Sequence, residues 1–165
     1  MTRPDMRNPV LLLAFGFGSG LAPKAPGTFG SLAALPFFAL LALLPLPLFL
    51  LVVAVVGLAG IWICGRAATI MGVHDHSGIV LDEFVGQWLT LTPLVPLAGW
   101  SLAALGWTVL GFALFRLFDV WKPWPIRWFD HNVDGGLGIM LDDVLAALPA
   151  GLLLWLSIQS VGRLS

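Results

Sequence analysis

The sequence predicts an all-α integral membrane protein, a bundle of about five apolar helices built as two hairpins and a final helix. Three observations predict it. Hydrophobic residues make up 59% of the 165 residues and charged residues only 10%, where an ordinary soluble domain carries roughly 25%. That leaves too few charges to coat a soluble surface, so contact with lipid is the economical explanation. The charges that do occur are gathered into islands, separated by uncharged stretches long enough to form helices. No long stretch shows the period-two alternation of a barrel strand. The length implies one domain, residues 1–165.

At the N-terminus, VLLLAFGFG is a short apolar run after Arg3 and Arg7. LAPKAPGTFG then follows with Lys24 and two prolines, which is not the pattern of a cleavable signal peptide. Residues 25–65 are uncharged and long enough to cross a bilayer twice. Pro45 and Pro47 near their middle remove helix hydrogen bonds and favour a turn. Residues 84–115 form a second such unit, broken around Pro93, Pro96 and Gly99, and residues 144–162 are a single run. A full crossing takes about 20 apolar residues for a core of about 30 Å. The expected spans are residues 30–44, 48–67, 79–95, 100–118 and 141–161. The first offers only about 14 residues before Pro45, so it is tilted, re-entrant or packed against protein.

Two hairpins return the chain to one side each time. Arg3, Arg7, Lys24, Arg66, Arg116, Lys122 and Arg127 can therefore share that side, while the uncharged turns fall opposite. The positive-inside rule makes the charged side cytoplasmic, with Arg163 a small violation beyond the final helix. The formal net charge of −1 offers no basic face for nucleic acid. The single cysteine, Cys64, excludes an internal disulfide and a multi-thiolate metal site.

Two segments repeat a pattern. GIVLDEFVG (residues 78–86) and GIMLDDVLA (residues 138–146) match as Gly-Ile-x-Leu-Asp-acid, so Asp82 and Glu83 correspond to Asp142 and Asp143. Gly86 and Ala146 lie one helical turn after Asp82 and Asp142. Small residues there allow close helix approach, which suggests two similar helices packed about a local pseudo-twofold. Acids in a first turn suit the helix macrodipole, and acids at a membrane surface can simply be hydrated. Two pairs in one pattern, in a chain so poor in charge, point instead to function, because carboxylates near lipid tend to be paired or functional.

A divalent cation site fits. Mg²⁺ takes oxygen ligands and often combines carboxylates with substrate phosphate. Asp82, Glu83, Asp142 and Asp143 are the candidate metal ligands and catalytic residues. Neighbouring helix positions point about 100° apart. One acid of each pair, Asp82 and Asp142 by preference, is expected to face the metal, and the other to orient it or a water from behind.

FRLFDVWKPWPIRWFD (residues 115–130) spaces Arg116, Asp119 and Lys122 three apart, in a helix expected to end before Pro123. Arg116 and Asp119 make either a plain surface ion pair or part of a phosphate site, since Arg and Lys hold phosphate oxygens by fork and by point charge. Trp121, Trp124 and Trp128 would anchor this loop at the headgroup level, which suits a phospholipid substrate presented from the bilayer. In GSGLAPKAPGTFGS (residues 18–31), Thr28 or Ser31 could cap the following helix. Lys24 is either a simple loop lysine or a phosphate contact. His74 and His76 stand at i, i+2, which does not put them on one helix face, and a solvated loop is the favoured reading; His131 is undecided.

These four segments, GSGLAPKAPGTFGS, GIVLDEFVGQW, FRLFDVWKPWPI and GIMLDDVLA, resemble the phosphatidylglycerophosphatase A family and occur in that family's order. The resemblance implies an all-α lipid phosphatase of the bacterial inner membrane. Its expected reaction removes the terminal phosphate of phosphatidylglycerophosphate with Mg²⁺, giving phosphatidylglycerol and inorganic phosphate. On that reading the two acid pairs hold the metal, and Lys24, Thr28, Arg116, Asp119 and Lys122 form the substrate side. No protein nucleophile is evident, so direct attack by water is preferred to a phospho-enzyme. The rival class is a small ion-coupled transporter using the same acids as a cation or proton site. Acids at span ends rather than mid-span argue against it.

Overall fold

The computed structural model describes residues 4–73, 76–97 and 102–162. It is 80% helical, with no strand among the described residues. A short helix, α1 (Pro9–Ala14), opens the chain, capped by the Asn8 side chain accepting from the Val10 N–H at 2.9 Å. A 3₁₀ turn (Gly16–Leu21) leads to α2 (Pro26–Leu41). Proline at the first helical position is well placed, because its missing N–H would have had no intrahelical partner.

Pro45 separates α2 from α3 (Leu46–Met71), which ends at Gly72 in the left-handed conformation, φ +68°. α4 (Leu81–Thr90) gives way to a 3₁₀ turn (Thr92–Leu94) where Pro93 removes an N–H. α5 (Leu102–Trp121), α6 (Ile126–Asn132) and α7 (Gly135–Gly162) complete the chain. The five expected apolar helices are thus all present as α2, α3, α4, α5 and α7. Three, Leu46–Met71, Leu102–Trp121 and Gly135–Val161, are long and apolar enough to cross a membrane.

The other two are short. α2 has 16 residues. α4 has ten rather than the expected 79–95, and eight of them are buried. Packed on protein nearly all round, α4 has no need of membrane-spanning length.

Contacts fix the helix directions. Trp88 on α4 donates its indole N–H to the Ala34 carbonyl of α2 at 2.9 Å, and Gly27 and Gly30 of α2 abut Glu83 and Val80. α2 and α4 therefore run side by side in one direction. Gly60 of α3 meets Met140 of α7, and Gly65 meets Gly136, an antiparallel pair. Gly86 of α4 packs on Phe115 of α5, while Gly111 of α5 packs on Leu91 and on Leu154 of α7. So α3 and α5 run against α2, α4 and α7, and the starts of α2, α4 and α7 gather with the ends of α3 and α5. The turn at Pro45 lies at the opposite end, as two hairpins require. α7 is the central helix: half of its most apolar stretch is buried, against 17% for α3 and for α5. Large apolar side chains such as Leu40, Leu43, Leu58 and Leu102 face outward, an arrangement stable against lipid rather than water.

One boundary changes the reading of the site. α7 starts at Gly135, not near residue 141, so Asp142 and Asp143 lie two turns inside it, while Asp82 and Glu83 do sit in the first turn of α4. The early start depends on Gly136, where a Cβ would fall 1.8 Å from the Ile61 carbonyl oxygen of α3. Only glycine lets the two backbones come this close. The repeated GI-x-LD pattern therefore does not mark equivalent helix starts, and the expected pseudo-twofold gives way to two different settings.

Candidate functional site

Six carboxylates collect where the helix ends meet. They are Asp82 and Glu83 from α4, Asp119 from α5, Asp130 from α6, and Asp142 and Asp143 from α7. The sequence holds only nine acids in all. Asp119, Asp142 and Asp143 each offer an oxygen within 4.8 Å of the others. Asp142 is 8% exposed and Asp143 2%. On the other side of Asp142, Asp82 and Asp130 line a small cavity with it, about 60 Å³ in volume.

Two cations answer them. The Arg116 guanidinium Nη1 is 2.6 Å from Asp119 and 3.6 Å from Glu83, and it donates to the Ser31 hydroxyl at 3.3 Å. Ser31 in turn donates to the Gly27 carbonyl at 3.0 Å. Lys122 bridges Asp142 at 2.5 Å and Asp130 at 2.6 Å. It sits just past the end of α5 with φ +44°. Burial pulls its pKa down, but the charges and hydrogen bonds of Asp142 and Asp130 outweigh that and raise it above the ordinary lysine value. α4 is too short to span, and its Asp82 has a pKa raised well above the usual carboxylate range. Burial is the larger cause, followed by the charges of Glu83 and Asp142.

Polar satisfaction is incomplete. Asp82 Oδ1, Asp142 Oδ1, Asp143 Oδ2 and Arg116 Nε are buried without a hydrogen-bond partner. An unsatisfied buried polar group costs about 1–3 kcal/mol, and more if charged. Three orphaned carboxylate oxygens among like charges fit a hard cation with all-oxygen coordination, such as Mg²⁺ or Ca²⁺. The donor set contains no sulfur or imidazole, which makes zinc a poor match. Within the cluster, the orphaned donor Arg116 Nε is suited to a phosphate oxygen.

The expected site residues are partly brought together. Asp82, Glu83, Arg116, Asp119, Lys122, Asp142 and Asp143 share one cluster, and Asp119 stands with the carboxylate trio rather than only on the substrate side. Both acids of the α7 pair reach that trio, where one was expected to face a metal and the other to stand behind it. The α4 pair does divide: Asp82 lines the cavity, while Glu83 lies against Arg116 and against Gly27 and Gly30. Lys24 is exposed in the loop before α2 and Thr28 is half-buried in its first turn; among the described residues neither bonds to the acids. Neither Thr28 nor Ser31 caps α2, whose cap position is Ala25, φ +48°.

His74 lies outside the described residues. His76 accepts the Gly78 N–H at Nδ1, 3.0 Å, and packs its ring on Phe15. His131 is exposed on α6. Sequence reasoning missed two participants. Asp130 closes the quoted loop eight residues after Lys122, and only the fold of the Pro123–Pro125 corner turns it back. Ser31 stands one turn after Gly27, and only helix packing brings Arg116 to it.

Comparison with known proteins places the chain among relatives. The family described as Phosphatidylglycerophosphatase A matches residues 12–158. A phosphatidylglycerophosphatase A of Escherichia coli is 53% identical over 153 residues, covering 92% of this chain and 86% of the relative. One of Haemophilus influenzae is 48% identical over 147 residues, covering 88% and 86%. A proposed phosphatidylinositol-3-phosphatase of Bacteroides thetaiotaomicron is 41% identical over 154 residues, covering 90% and 91%. No solved structure matches.

Proposed function

The chain belongs to the phosphatidylglycerophosphatase A family, and on that premise we propose that it hydrolyses the terminal phosphomonoester of phosphatidylglycerophosphate. The products are phosphatidylglycerol and inorganic phosphate. The setting is the inner membrane of a bacterium, with the charged end of the bundle in the cytoplasm, where the basic residues belong. One observation carries the site: Asp119, Asp142 and Asp143 converge to within 4.8 Å, beside the arginine and the lysine of the cluster.

Asp119, Asp142 and Asp143 would hold Mg²⁺, with Asp82 across the small cavity. Bound there, Mg²⁺ would supply positive charge to the phosphoryl oxygens and favour deprotonation of an attacking water. The chain's own residues do the rest. Arg116, pinned by Asp119, Glu83 and Ser31, presents its free Nε to a non-bridging oxygen. Lys122, tethered by Asp130, can swing from Asp142 to a second oxygen. Asp82 is placed to take a proton from the water as its oxygen bonds to phosphorus. The bond from phosphorus to the glycerol oxygen then breaks, that oxygen takes a proton from solvent water, and Asp82 returns the proton it took to solvent. Glu83 is a positioning residue for Arg116 rather than a ligand. Substrate phosphate carries its own charge into a site with more acids than bases, which is why a cation is needed for it to bind at all.

Family membership sets aside the ion-coupled carrier. The relatives share a phosphomonoester on a lipid as the group their names imply, and that is the group this cluster is built to handle. The test is phosphate release from purified protein and phosphatidylglycerophosphate, with Mg²⁺ and with EDTA. Release should require Mg²⁺, and Asp142→Asn should lower kcat/KM by at least about a hundredfold. Near-normal turnover by that variant, or full activity in EDTA, would sink the assignment.

A further inference from the structure

Beside the carboxylates, a groove of about 490 Å³ runs between α3, α4 and α7, and every side chain lining it is apolar. Leu50, Gly57 and Ile61 of α3, Val85 of α4, and Met140 and Val144 of α7 mark its course. From Leu50 to Ile61 it extends about 16 Å along α3, at 1.5 Å per residue. Its Ile61 end lies level with the start of α7, because Gly60 packs on Met140 and Gly65 on Gly136. Leu141, in the wall, directly precedes Asp142. The groove therefore begins at the depth of the acid cluster and descends from it along the bundle axis. There is open space beside Gly57, where an added Cβ would meet only Val85, at 3.6 Å.

We propose that this groove holds an acyl chain of the substrate lipid while its phosphate lies at the carboxylates, an inference that rests on the lipid phosphatase reading. A phospholipid has the same layout, with phosphate outermost and chains running inward. Its start at the depth of the cluster, with Leu141 of its wall next to Asp142, distinguishes this recess from the general lipid-facing surface, which bulk lipid covers without order. Fixing a chain here would orient the headgroup over Asp119, Asp142 and Asp143 and add affinity that a water-soluble phosphomonoester lacks. Each methylene buried strengthens binding by roughly fourfold, so the contribution should appear as a dependence of KM on chain length.

The test compares long-chain with short-chain phosphatidylglycerophosphate, presented in the same detergent micelles. Gly57→Phe should lower the long-chain to short-chain ratio of kcat/KM by at least about tenfold. An unchanged ratio overturns the proposal. A second measurement does not depend on the variant folding. Wild-type protein is photolabelled with phosphatidylglycerophosphate carrying a diazirine on an acyl chain. Labels should concentrate in residues 50–61 and 137–144, and excess phosphatidylglycerophosphate should suppress them while phosphatidylcholine does not. Labels spread over the outer faces of α3 and α5, or suppressed equally by both lipids, mean bulk lipid and overturn it. Absence of phosphate release by the wild type on either substrate would count against the phosphatase reading, and the photolabel would still decide the groove.

Discussion

Replacing Asp143 by Asn should act with opposite signs on two properties. Asp143 is 2% exposed and shares a 4.8 Å triangle with Asp119 and Asp142. At about 5 Å and an effective dielectric near 20, two like charges repel by roughly 3 kcal/mol. Asp143 meets two such neighbours, although Arg116 and Lys122 offset part of their charge. The chain can also escape by protonating a carboxylate, which at pH 7 costs about 4 kcal/mol. Without divalent cations, Asp143→Asn should therefore stabilise the protein, by about 1–3 kcal/mol, while keeping its shape. With Mg²⁺ the sign reverses. A site filled at 100 times its Kd stabilises the wild type by about 2.7 kcal/mol, and the variant forfeits most of that gain. At about 2–4 °C per kcal/mol for a chain of this size, both effects are readable in thermal melts of the detergent-solubilised protein, run in EDTA and in Mg²⁺. Phosphate release should fall at least about a hundredfold in the same preparation. A variant that is less stable in EDTA, or that keeps the full Mg²⁺-induced shift, would refute the reasoning, because Asp143 would then be a structural acid.

Three further outcomes follow from the geometry. In EDTA, thermal stability should rise as pH falls from 7 toward 5: Asp82 has a pKa raised above its unfolded value, so its contribution is present at low pH and is lost as pH rises through the folded value. A melt series that falls monotonically on acidification would contradict this. Lys122, whose pKa is also raised above its unfolded value of 10.5, should keep its stabilising role up to that pH and lose it only above, so Lys122→Met should cost about 1–3 kcal/mol at pH 8 and flatten the alkaline limb of a pH–stability curve. Gly136→Ala should destabilise by about 3 kcal/mol or more, since its Cβ would lie 1.8 Å from the Ile61 carbonyl oxygen, and it should abolish activity; a near-normal Tm would mean that α3 and α7 can separate freely.

Much of the fold was legible because charge is scarce. With so few charged residues, the uncharged runs and the prolines between them located every long helix and placed Lys24, Arg116, Lys122 and both acid pairs at one end. Helix starts were less legible. Apolar periodicity marks where a helix meets lipid, not where its backbone begins, so α7 was expected six residues late: Gly135 and Gly136 look like a loop in sequence and work as helix in the fold because α3 lies against them. The acid pairs announced the site, yet the division of labour did not show. Whether Glu83 faces Arg116 or a metal depends on α2, which supplies Gly27 and Gly30 from more than fifty residues away. Asp119 reads as an i, i+3 partner of Arg116, and it is that, at 2.6 Å. Its second role appears only when α7 is set beside α5.

The late expectation and the burial of both α7 acids have one physical origin. Had α7 begun near residue 141, its acids would occupy a first turn, where the macrodipole would favour them. Two extra turns of glycine-rich helix, admitted by the close approach of α3, instead carry Asp142 and Asp143 inward to meet Asp119 from a second transmembrane helix. There the packed helices restrict hydration, and Asp82 Oδ1, Asp142 Oδ1 and Asp143 Oδ2 have no protein partner. Burial without satisfaction is unfavourable for a carboxylate unless something else neutralises it. Lys122 reaches only one oxygen of Asp142, and Arg116 is already divided between Asp119, Glu83 and Ser31. On the proposed reading, this residual charge would draw in a cation, and phosphate would bind once that charge is met. The same glycine contact therefore sets both helix packing and acid burial.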